Sequence, residues 1–423
     1  MKRRSFLKST AAGAVAATVG VAAAPSLFAQ SSSATGNDFP KETIDAIKKR
    51  ITLITSDERH ERIERARRLM AEQKIDALLM EGGINLGYYT GAQWGRSERL
   101  FAMILPRKGD PVFVAPKFEE ARAHEQTGST KVLTWDEHES PYALIKSALA
   151  AEGISTGTIG IEETTRFFVS DNLAKTAGTL TLVSATPVTA GCRCVKTAHE
   201  LDLMQIANDI TREVFTASLS HLKAGMKERE FATVISQLYR QFGVGGGALV
   251  LFGEASAYPH GSVKDHVLSD GDIVLIDGGC EVEGYSSDVT RTTTFGKPSE
   301  KTRTVWEIVR KAQDTAMKTA RPGLPSEQVD AAARKVISDA GYGPDYKYFS
   351  HRLGHGIGLE GHEWYYLVRG NTRPLETSNT FSDEPGIYIP GEFGIRIEDE
   401  LLITADGARL MLPAPPSIEK IFP

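Results

Sequence analysis

Two stretches in the second half of the chain each carry a pair of acidic residues with the spacing of a β-hairpin. In the first, an apolar run ends at Asp277, and a Gly-containing turn leads to Asp288. A turn centred near Val282 and Glu283 predicts that the two aspartates lie opposite each other, with Cβ atoms about 5 Å apart. Two carboxylates at that separation repel each other unless they are protonated or neutralised by cations. The first stretch therefore predicts a cation site.

The second stretch repeats this arrangement. A loop centred near Gly391 predicts that Glu384 lies opposite Glu398, and the period of two along a strand places Arg396 on the same face. The isoleucines that alternate with Arg396 and Glu398 indicate a half-buried hairpin, and a buried charge needs a partner or a metal. Four solvated acids on sheet edges are the alternative interpretation.

Three of the ten histidines lie close together between the two hairpins, at His351, His355 and His362. A single histidine is usually a structural residue, but a cluster flanked by glycines that permit close backbone approach indicates a site. Four carboxylates and one imidazole suit two hard divalent ions. Manganese is favoured, with zinc and cobalt as alternatives.

Other catalytic motifs are incomplete. The Gly-x-Gly-x-x-Gly pattern at Gly356–Gly361 follows no apolar strand, so it does not predict a dinucleotide site. The zinc-protease pattern His-Glu-x-x-His is absent from the sequence. The three cysteines are too few for a thiolate zinc site, and Cys280 is interpreted as a structural residue.

The elements that must position these residues fall into two predicted domains. Helical and strand patterns alternate over residues 56–190, which predicts an open α/β domain. Thr197 and Glu200 have the spacing of a capping box that begins a helix, so the boundary is placed near residues 191–196. Strand pairs mixed with helices fill residues 195–423, and this α+β domain would carry both acidic hairpins.

The first 29 residues have the organisation of an export signal. A basic start containing Arg3 and Arg4 is followed by an Ala-rich apolar run and a small residue at Ala29. The arginine pair predicts the twin-arginine route, cleavage near Ala29, and a periplasmic or exported protein. A retained membrane anchor is the alternative. Residues 30–55 are predicted to form a tether.

The charge balance excludes one class of partner. The chain carries 49 Lys and Arg against 54 Asp and Glu. Removal of residues 1–29 takes away four basic residues and no acidic one, so the formal net charge changes from −5 to −9. An acidic body without a basic run predicts no nucleic-acid partner. No membrane association is expected once the signal is removed.

The two hairpins and the histidine segment together resemble the five-ligand set of the pita-bread metallopeptidases, a family that includes methionine aminopeptidase, aminopeptidase P and prolidase. The matching residues are Asp277, Asp288, His355, Glu384 and Glu398. The surrounding motifs are most similar to the proline-specific branch, and the N-terminal half looks like the creatinase/prolidase N-terminal domain. The resemblance implies that Asp277 binds one metal, that Asp288 and Glu398 bridge both, and that His355 and Glu384 hold the second.

The resemblance also implies roles around the metals. Glu384 would act as general base and acid. Arg396 would either anchor a substrate carboxylate or neutralise the acid cluster, while Arg369 and Arg373 fall where related enzymes place a carboxylate-binding arginine. Three histidines would orient the substrate or serve as scaffold: His260, His351 and His362.

The predicted function is hydrolysis of Xaa-Pro bonds in small peptides by an exopeptidase with two metal ions, of the Xaa-Pro dipeptidase or aminopeptidase P kind. Water activated between the ions would attack the scissile carbonyl. The resemblance also suggests a homodimer. Two alternatives are a metal-dependent amidohydrolase of the same fold that acts on a non-peptide amide, and a catalytically silent binding module.

Overall fold

The computed structural model describes residues 38–264 and 266–423. The export signal predicted for residues 1–29 lies outside the described residues, as do residues 30–37 of the predicted tether. Residues Asp38–Pro423 form one compact unit. Within the described part of the chain, no helix combines the length and the apolar character required to cross a bilayer.

The first half of the described chain is an α/β domain. Its helices are α1 (Lys41–Lys48), α2 (Ser56–Gln73), α3 (Ile84–Thr90), α4 (Glu120–Thr127), α5 (Pro141–Ala151), α6 (Phe167–Ala177) and α7 (Thr186–Arg193). Its strands are β1 (Ala77–Glu81), β2 (Ala102–Pro106), β3 (Val112–Pro116), β4 (Val132–Trp135), β5 (Gly157–Ile161) and β6 (Leu180–Ser184).

These strands form one mixed sheet in the order β4-β3-β2-β1-β5-β6, in which β2 is antiparallel to both of its neighbours. Every residue of β1 is buried. Leu78 and Met80 belong to one apolar cluster and Ala77 and Leu79 to another, because alternate side chains of a strand point to opposite faces. A central strand that is apolar on both faces needs helices on both sides of the sheet.

The structure differs from the predicted tether over residues 38–55. This segment contains α1, and Phe39, Ile47 and Ile54 are buried in an apolar cluster with Leu203 and Phe242. The apolar side chains of this segment pack against partners that come far later in the chain, such as Leu203 and Phe242. Its own sequence therefore gives a weak signal.

The second half of the chain is an α+β domain. Its helices are α8 (Ala198–Ser218), α9 (Glu228–Gln241), α10 (Glu300–Thr319) and α11 (Ser326–Ile337). Its strands are β7 (Gly246–Phe252), β8 (Ile273–Val282), β9 (Tyr285–Ser286), β10 (Val289–Thr294), β11 (Gly354–Gly356), β12 (Glu363–Leu367), β13 (Thr380–Asp383), β14 (Gly386–Ile389), β15 (Phe393–Arg396), β16 (Asp399–Ile403) and β17 (Ala408–Leu410).

The capping box predicted at the start of the second domain begins α8. Thr197 Oγ1 accepts a hydrogen bond from the Glu200 backbone N–H at 3.2 Å, and Glu200 Oε2 accepts one from the Thr197 backbone N–H at 2.7 Å. Two sheets follow, ordered β10-β8-β7 and β12-β11-β13-β16-β17, with β14 and β15 paired beside them. One apolar cluster packs α8 and α9 against β7 and β8, and a second packs α10 and α11 against β13 to β16.

Buried ion pairs join the two domains. Arg62 on α2 lies 2.9 Å from the Glu200 carboxylate on α8. Arg193 at the end of α7 and Lys196 just beyond it lie 2.6 and 2.9 Å from the carboxylate of Glu363 on β12. All five side chains are buried. Because a buried charge without its partner is costly, these pairs hold the N-terminal domain in place against the C-terminal one.

Candidate metal centre

The five predicted metal ligands lie on strand ends that converge. Asp277 is on β8, Asp288 immediately precedes β10, His355 is on β11, Glu384 follows β13, and Glu398 lies between β15 and β16. The ligand atoms of Asp277, Asp288 and Glu398 all lie within 4.8 Å of one another, and so do those of His355, Glu384 and Glu398. Glu398 belongs to both groups, so two neighbouring cation sites can share it.

The register of the first acidic hairpin corrects the prediction. Val282 pairs with Tyr285, and Asp277 pairs with Thr290 rather than with Asp288. The turn lies at Glu283 and Gly284, which have φ of 50° and 83°, as a two-residue hairpin turn of type I′ requires. Asp288 is two residues before Thr290, so it shares the face of Thr290 and is a diagonal neighbour of Asp277. The Asp277 and Asp288 carboxylates therefore lie close together as a diagonal cross-strand pair, not as a directly opposite one.

The second acidic hairpin has the predicted register. Gly386 pairs with Arg396 and Ile389 with Phe393, so the hairpin is centred on Gly391. Glu384 and Glu398 continue this register beyond the ends of the two strands. Ser382 Oγ donates a hydrogen bond to Glu384 Oε1 at 3.1 Å, and Thr290 Oγ1 donates one to Glu398 Oε2 at 2.5 Å. Both carboxylates are thereby held in place by hydroxyl donors.

His355 presents a free nitrogen to the acids. Its Nδ1 lies 3.0 Å from the Gly356 carbonyl oxygen and donates to it, which leaves the lone pair on Nε2. Nε2 lies 3.4 Å from Glu384 Oε1 and 3.9 Å from Asp288 Oδ2. Burial, reinforced by the neighbouring His362, lowers the pKa of His355 to about 3. A neutral imidazole oriented in this way is the form that binds a metal ion.

The close approach of β11 to β13 depends on Gly354. A Cβ placed on Gly354 would lie within bonding distance of the Ser382 backbone oxygen, so no larger residue fits there. The adjacent His355 backbone N–H donates to Ser382 Oγ at 3.0 Å. The glycine that precedes the histidine thus lets the imidazole reach the carboxylates.

The acid cluster carries more negative charge than the surrounding protein neutralises. Burial raises the pKa of Asp288 and of Glu398 well above their ordinary values, and each is raised further by neighbouring carboxylates. Burial also raises the pKa of Glu384 to about 7, against the opposing effect of Arg396. Hard divalent ions prefer carboxylate oxygens with an imidazole nitrogen. The donor set and its unfavourable charge therefore fit a pair of such ions.

The Arg396 guanidinium donates hydrogen bonds within the acid cluster and its surroundings. Its Nη2 donates to Asp277 Oδ2 at 2.5 Å, its Nε to Thr290 Oγ1 at 3.2 Å, and its Nη1 to the Tyr388 hydroxyl at 2.9 Å and the Pro259 carbonyl at 3.1 Å. The side chain is 3% exposed. Of the two predicted roles for Arg396, this geometry favours neutralisation of the cluster over capture of a substrate carboxylate.

The ligands line a cavity of about 380 Å³, here named the catalytic cavity, together with the three other predicted histidines. His351 Nδ1 donates to the Arg352 carbonyl at 2.8 Å, so the Tyr388 hydroxyl donates to its Nε2 at 2.7 Å. Burial lowers the pKa of His351 to about 3. His362 stacks on His355 with ring centroids 3.7 Å apart, and His260 lies at the exposed rim.

The predicted carboxylate-binding arginines lie elsewhere. Arg369 pairs with Asp345 at 2.6 Å, Arg373 pairs with Glu376 at 2.6 Å, and neither lines the catalytic cavity. Arg352, which sequence reasoning missed, does line it. Its guanidinium lies 3.9 Å from the ring centroid of Tyr366, and it makes no ion pair or side-chain hydrogen bond with any described residue. The only sequence signal was its place within the histidine segment.

Comparison with protein families gives two adjacent matches. Residues 202–405 match the family described as Metallopeptidase family M24, and residues 62–195 match the Creatinase/Prolidase N-terminal domain. The chain is also 40% identical over 363 residues to an uncharacterized peptidase of Schizosaccharomyces pombe, across 80% of this chain and 78% of that protein. The predicted order of domains, a creatinase-type α/β domain followed by a pita-bread domain, is confirmed.

Solved structures agree with this match. Dipeptidase PepE from Mycobacterium ulcerans is 33% identical, with a TM-score of 0.81, over 88% of this chain and 99% of that one. Prolidase from Thermococcus sibiricus is 33% identical, with a TM-score of 0.75, over 83% and 95% of the two chains. The similarity therefore extends through both domains.

Proposed function

The chain belongs to metallopeptidase family M24, and from that premise we propose that it is a two-metal exopeptidase that hydrolyses the bond before proline. One observation carries the proposal. Ligand atoms from five residues far apart in sequence meet within two overlapping groups, each within 4.8 Å, on the wall of a cavity that also holds three histidines. The preference for proline is supported by the similar solved structures, which include a prolidase and an Xaa-Pro dipeptidase.

Asp277 would hold one ion, His355 and Glu384 would hold the other, and Asp288 and Glu398 would contribute to both, with manganese as the proposed metal. When bound, such ions lower the pKa of water and polarise a carbonyl group. Glu384, whose carboxylate accepts a hydrogen bond from Ser382 Oγ, would accept a proton from the attacking water and return it to the leaving amine.

The remaining residues around the cavity orient the substrate. The chain of hydrogen bonds from Arg396 through Tyr388 to His351 fixes the His351 ring and keeps it neutral. His260 and His362 line the same cavity and are placed to contact a bound peptide. Arg352 lines the same cavity and forms no ion pair with a described residue, so its positive charge suits an anionic group on the substrate.

The proposal is tested by stripping the purified protein with a chelator, reloading it with manganese, and comparing Ala-Pro, longer Ala-Pro peptides and Ala-Ala controls. The Xaa-Pro substrates should be favoured by about 100-fold. Metal analysis should find about two ions per chain, whereas a silent binding module would purify without them. Equal cleavage of Ala-Ala would contradict the proline preference.

Glu384→Gln separates catalysis from metal binding. It should lower kcat by roughly 100-fold or more while much of the bound metal remains, because the amide cannot accept a proton. Glu392→Gln is the matched control, since Glu392 is an exposed acid in the turn of the same hairpin. A Glu384→Gln enzyme with wild-type rates would contradict the assignment.

A further inference from the structure

Two chain segments run from the catalytic cavity to a larger cavity between the domains. In residues 359–362, Leu359 and Glu360 line the interdomain cavity, of about 660 Å³, and His362 lines the catalytic cavity. Gly361 between them lines a middle cavity of about 630 Å³. Successive residues of one segment thus line three neighbouring cavities.

The second segment, residues 283–288, gives the same order. Gly284 lines both the interdomain and the middle cavity, and Asp288 lines both the middle and the catalytic cavity. At about 3.3 Å per extended residue, the four steps from Gly284 to Asp288 cover roughly 13 Å. An extended peptide therefore needs about four residues beyond the metal centre to reach the interdomain cavity.

Among the described residues, Arg59 is the arginine of the interdomain cavity that has no acidic partner within ion-pair distance. Three of the arginines that line it have acidic partners: Arg62 pairs with Glu200, Arg96 with Glu162, and Arg193 with Glu363. Arg59 forms no ion pair or side-chain hydrogen bond within residues 38–264 and 266–423, and its Nε is a buried donor without an acceptor. A charged donor in that state points to an anionic ligand, because charge-assisted hydrogen bonds are the strong ones.

The cavity that Arg59 lines also offers apolar surface. Ile84 lines it with 41% of its surface exposed, and Trp94 and Leu359 lie along the wall. An exposed aliphatic side chain and an unpaired guanidinium in one cavity suit a group with an apolar body and a negative end. The carboxyl-terminal residue of a peptide has that chemistry.

We propose that the interdomain cavity binds the carboxyl-terminal end of an oligopeptide substrate of about five residues, with its terminal carboxylate on Arg59. This inference rests on the proposed exopeptidase function. An exopeptidase that removes the first residue holds the amino end of its substrate at the metal centre. The remainder of the peptide then extends away, and the three neighbouring cavities along residues 283–288 and 359–362 give it a path.

The test uses the peptide Ala-Pro-Ala-Ala-Phe with a free carboxylate, the same peptide as its carboxyl-terminal amide, and the dipeptide Ala-Pro. Wild-type enzyme should favour the free acid over the amide by about 10- to 100-fold in kcat/KM, the range expected for a hydrogen bond to a charged group. Arg59→Gln should lose this preference through a higher KM for the free acid. Its rates on the amide and on Ala-Pro should stay unchanged.

Arg68→Gln is the matched control, because Arg68 is an exposed arginine on the same helix α2 that lines none of the three cavities. Arg59→Lys, which keeps the charge, should retain part of the preference. Calorimetric binding of the acid and the amide to the Glu384→Gln enzyme gives a readout that needs no turnover. There, too, the acid should bind more tightly, and Arg59→Gln should remove the difference.

Three results would overturn the inference while leaving the proposed function intact. In the first, wild-type enzyme would cleave Ala-Pro but not the pentapeptide. In the second, it would cleave and bind the acid and the amide equally well. In the third, Arg59→Gln would keep the full preference for the free acid over the amide. A loss of Ala-Pro hydrolysis in Arg59→Gln would also overturn it, since the role of Arg59 would then be structural. If the loaded wild-type enzyme cleaves no Xaa-Pro substrate, the proposed function fails, and the binding comparison alone decides whether the cavity takes a carboxylate.

Discussion

Replacing Arg396 by methionine would remove the cation beside the metal ligands and leave an unbranched side chain in its place. Arg396 is 3% exposed and lies 2.5 Å from Asp277, whose side chain is 21% exposed. Removing one partner of a buried ion pair costs about 3–5 kcal/mol. Because Asp277 keeps some contact with solvent, we expect the metal-free variant to lose about 3 kcal/mol, the lower end of that range.

The loss would be measured by urea unfolding of the metal-free protein, followed by tryptophan fluorescence and far-UV circular dichroism. Manganese should stabilise the variant more than the wild type, because the ion replaces the missing positive charge and binds only the folded state. Arg373→Met is the control. Its ion pair with Glu376 is 34% and 48% exposed, so its removal should cost less than about 1 kcal/mol.

The opposite outcome would refute the assignment of Arg396 to the acid cluster. If Arg396→Met unfolded at the wild-type urea concentration and showed only a raised KM, the guanidinium would be a substrate anchor. That is the alternative role that the sequence left open. A variant that is destabilised but keeps its wild-type KM would support neutralisation.

Three further predictions concern the thiols, the domain contact and export. Burial raises the pKa of Cys192 to about 11 and of Cys280 to about 12. Neither thiol should therefore react with a disulfide reagent at about pH 8 until the protein is unfolded. Rapid labelling of the native protein would contradict this prediction. Burial opposes the ionisation of Glu363, but Lys196 and Arg193 outweigh it and lower its pKa below the ordinary 4.5. The stability that this pairing provides is complete above pH 4.5 and is lost as the pH falls through the folded-state pKa of Glu363. Glu363→Gln should therefore reduce the slope of the free energy of unfolding against pH in the acid range. An unchanged slope would argue against the pairing. Replacing the Arg3-Arg4 pair by lysines should retain the protein in the cytoplasm, which cell fractionation would show, and an undiminished periplasmic yield would end the twin-arginine assignment.

The acidic hairpins could be identified from the sequence because each combines an apolar strand, a turn and a carboxylate in a short stretch. The second register was predictable because Gly391 marks the turn. The first was placed one residue too early because the turn depends on two successive residues with positive φ, and one of them is Glu283, which rarely adopts that conformation.

The substrate-side residues could not be ranked in the same way. Arg352, Arg369 and Arg373 lie within one stretch of sequence, and nothing local distinguishes them. The structure does so through contacts made elsewhere: Arg369 and Arg373 have acidic partners outside the catalytic cavity, whereas Arg352 lies over Tyr366 at its wall. Likewise, the sequence does not show that Arg59 lacks an acidic partner among the described residues, whereas Arg62, Arg96 and Arg193 each have one.

The ion pairs of Arg62 with Glu200 and of Arg193 with Glu363 limit how this protein can be recombined. A chimera that takes its first domain from another member of the family would inherit arginines and acids from different parents. Any mismatch would leave an unpaired, buried charge, at a cost of about 3–5 kcal/mol for each pair. Exchange of the two domains should therefore succeed only when both partners of each pair are transferred together.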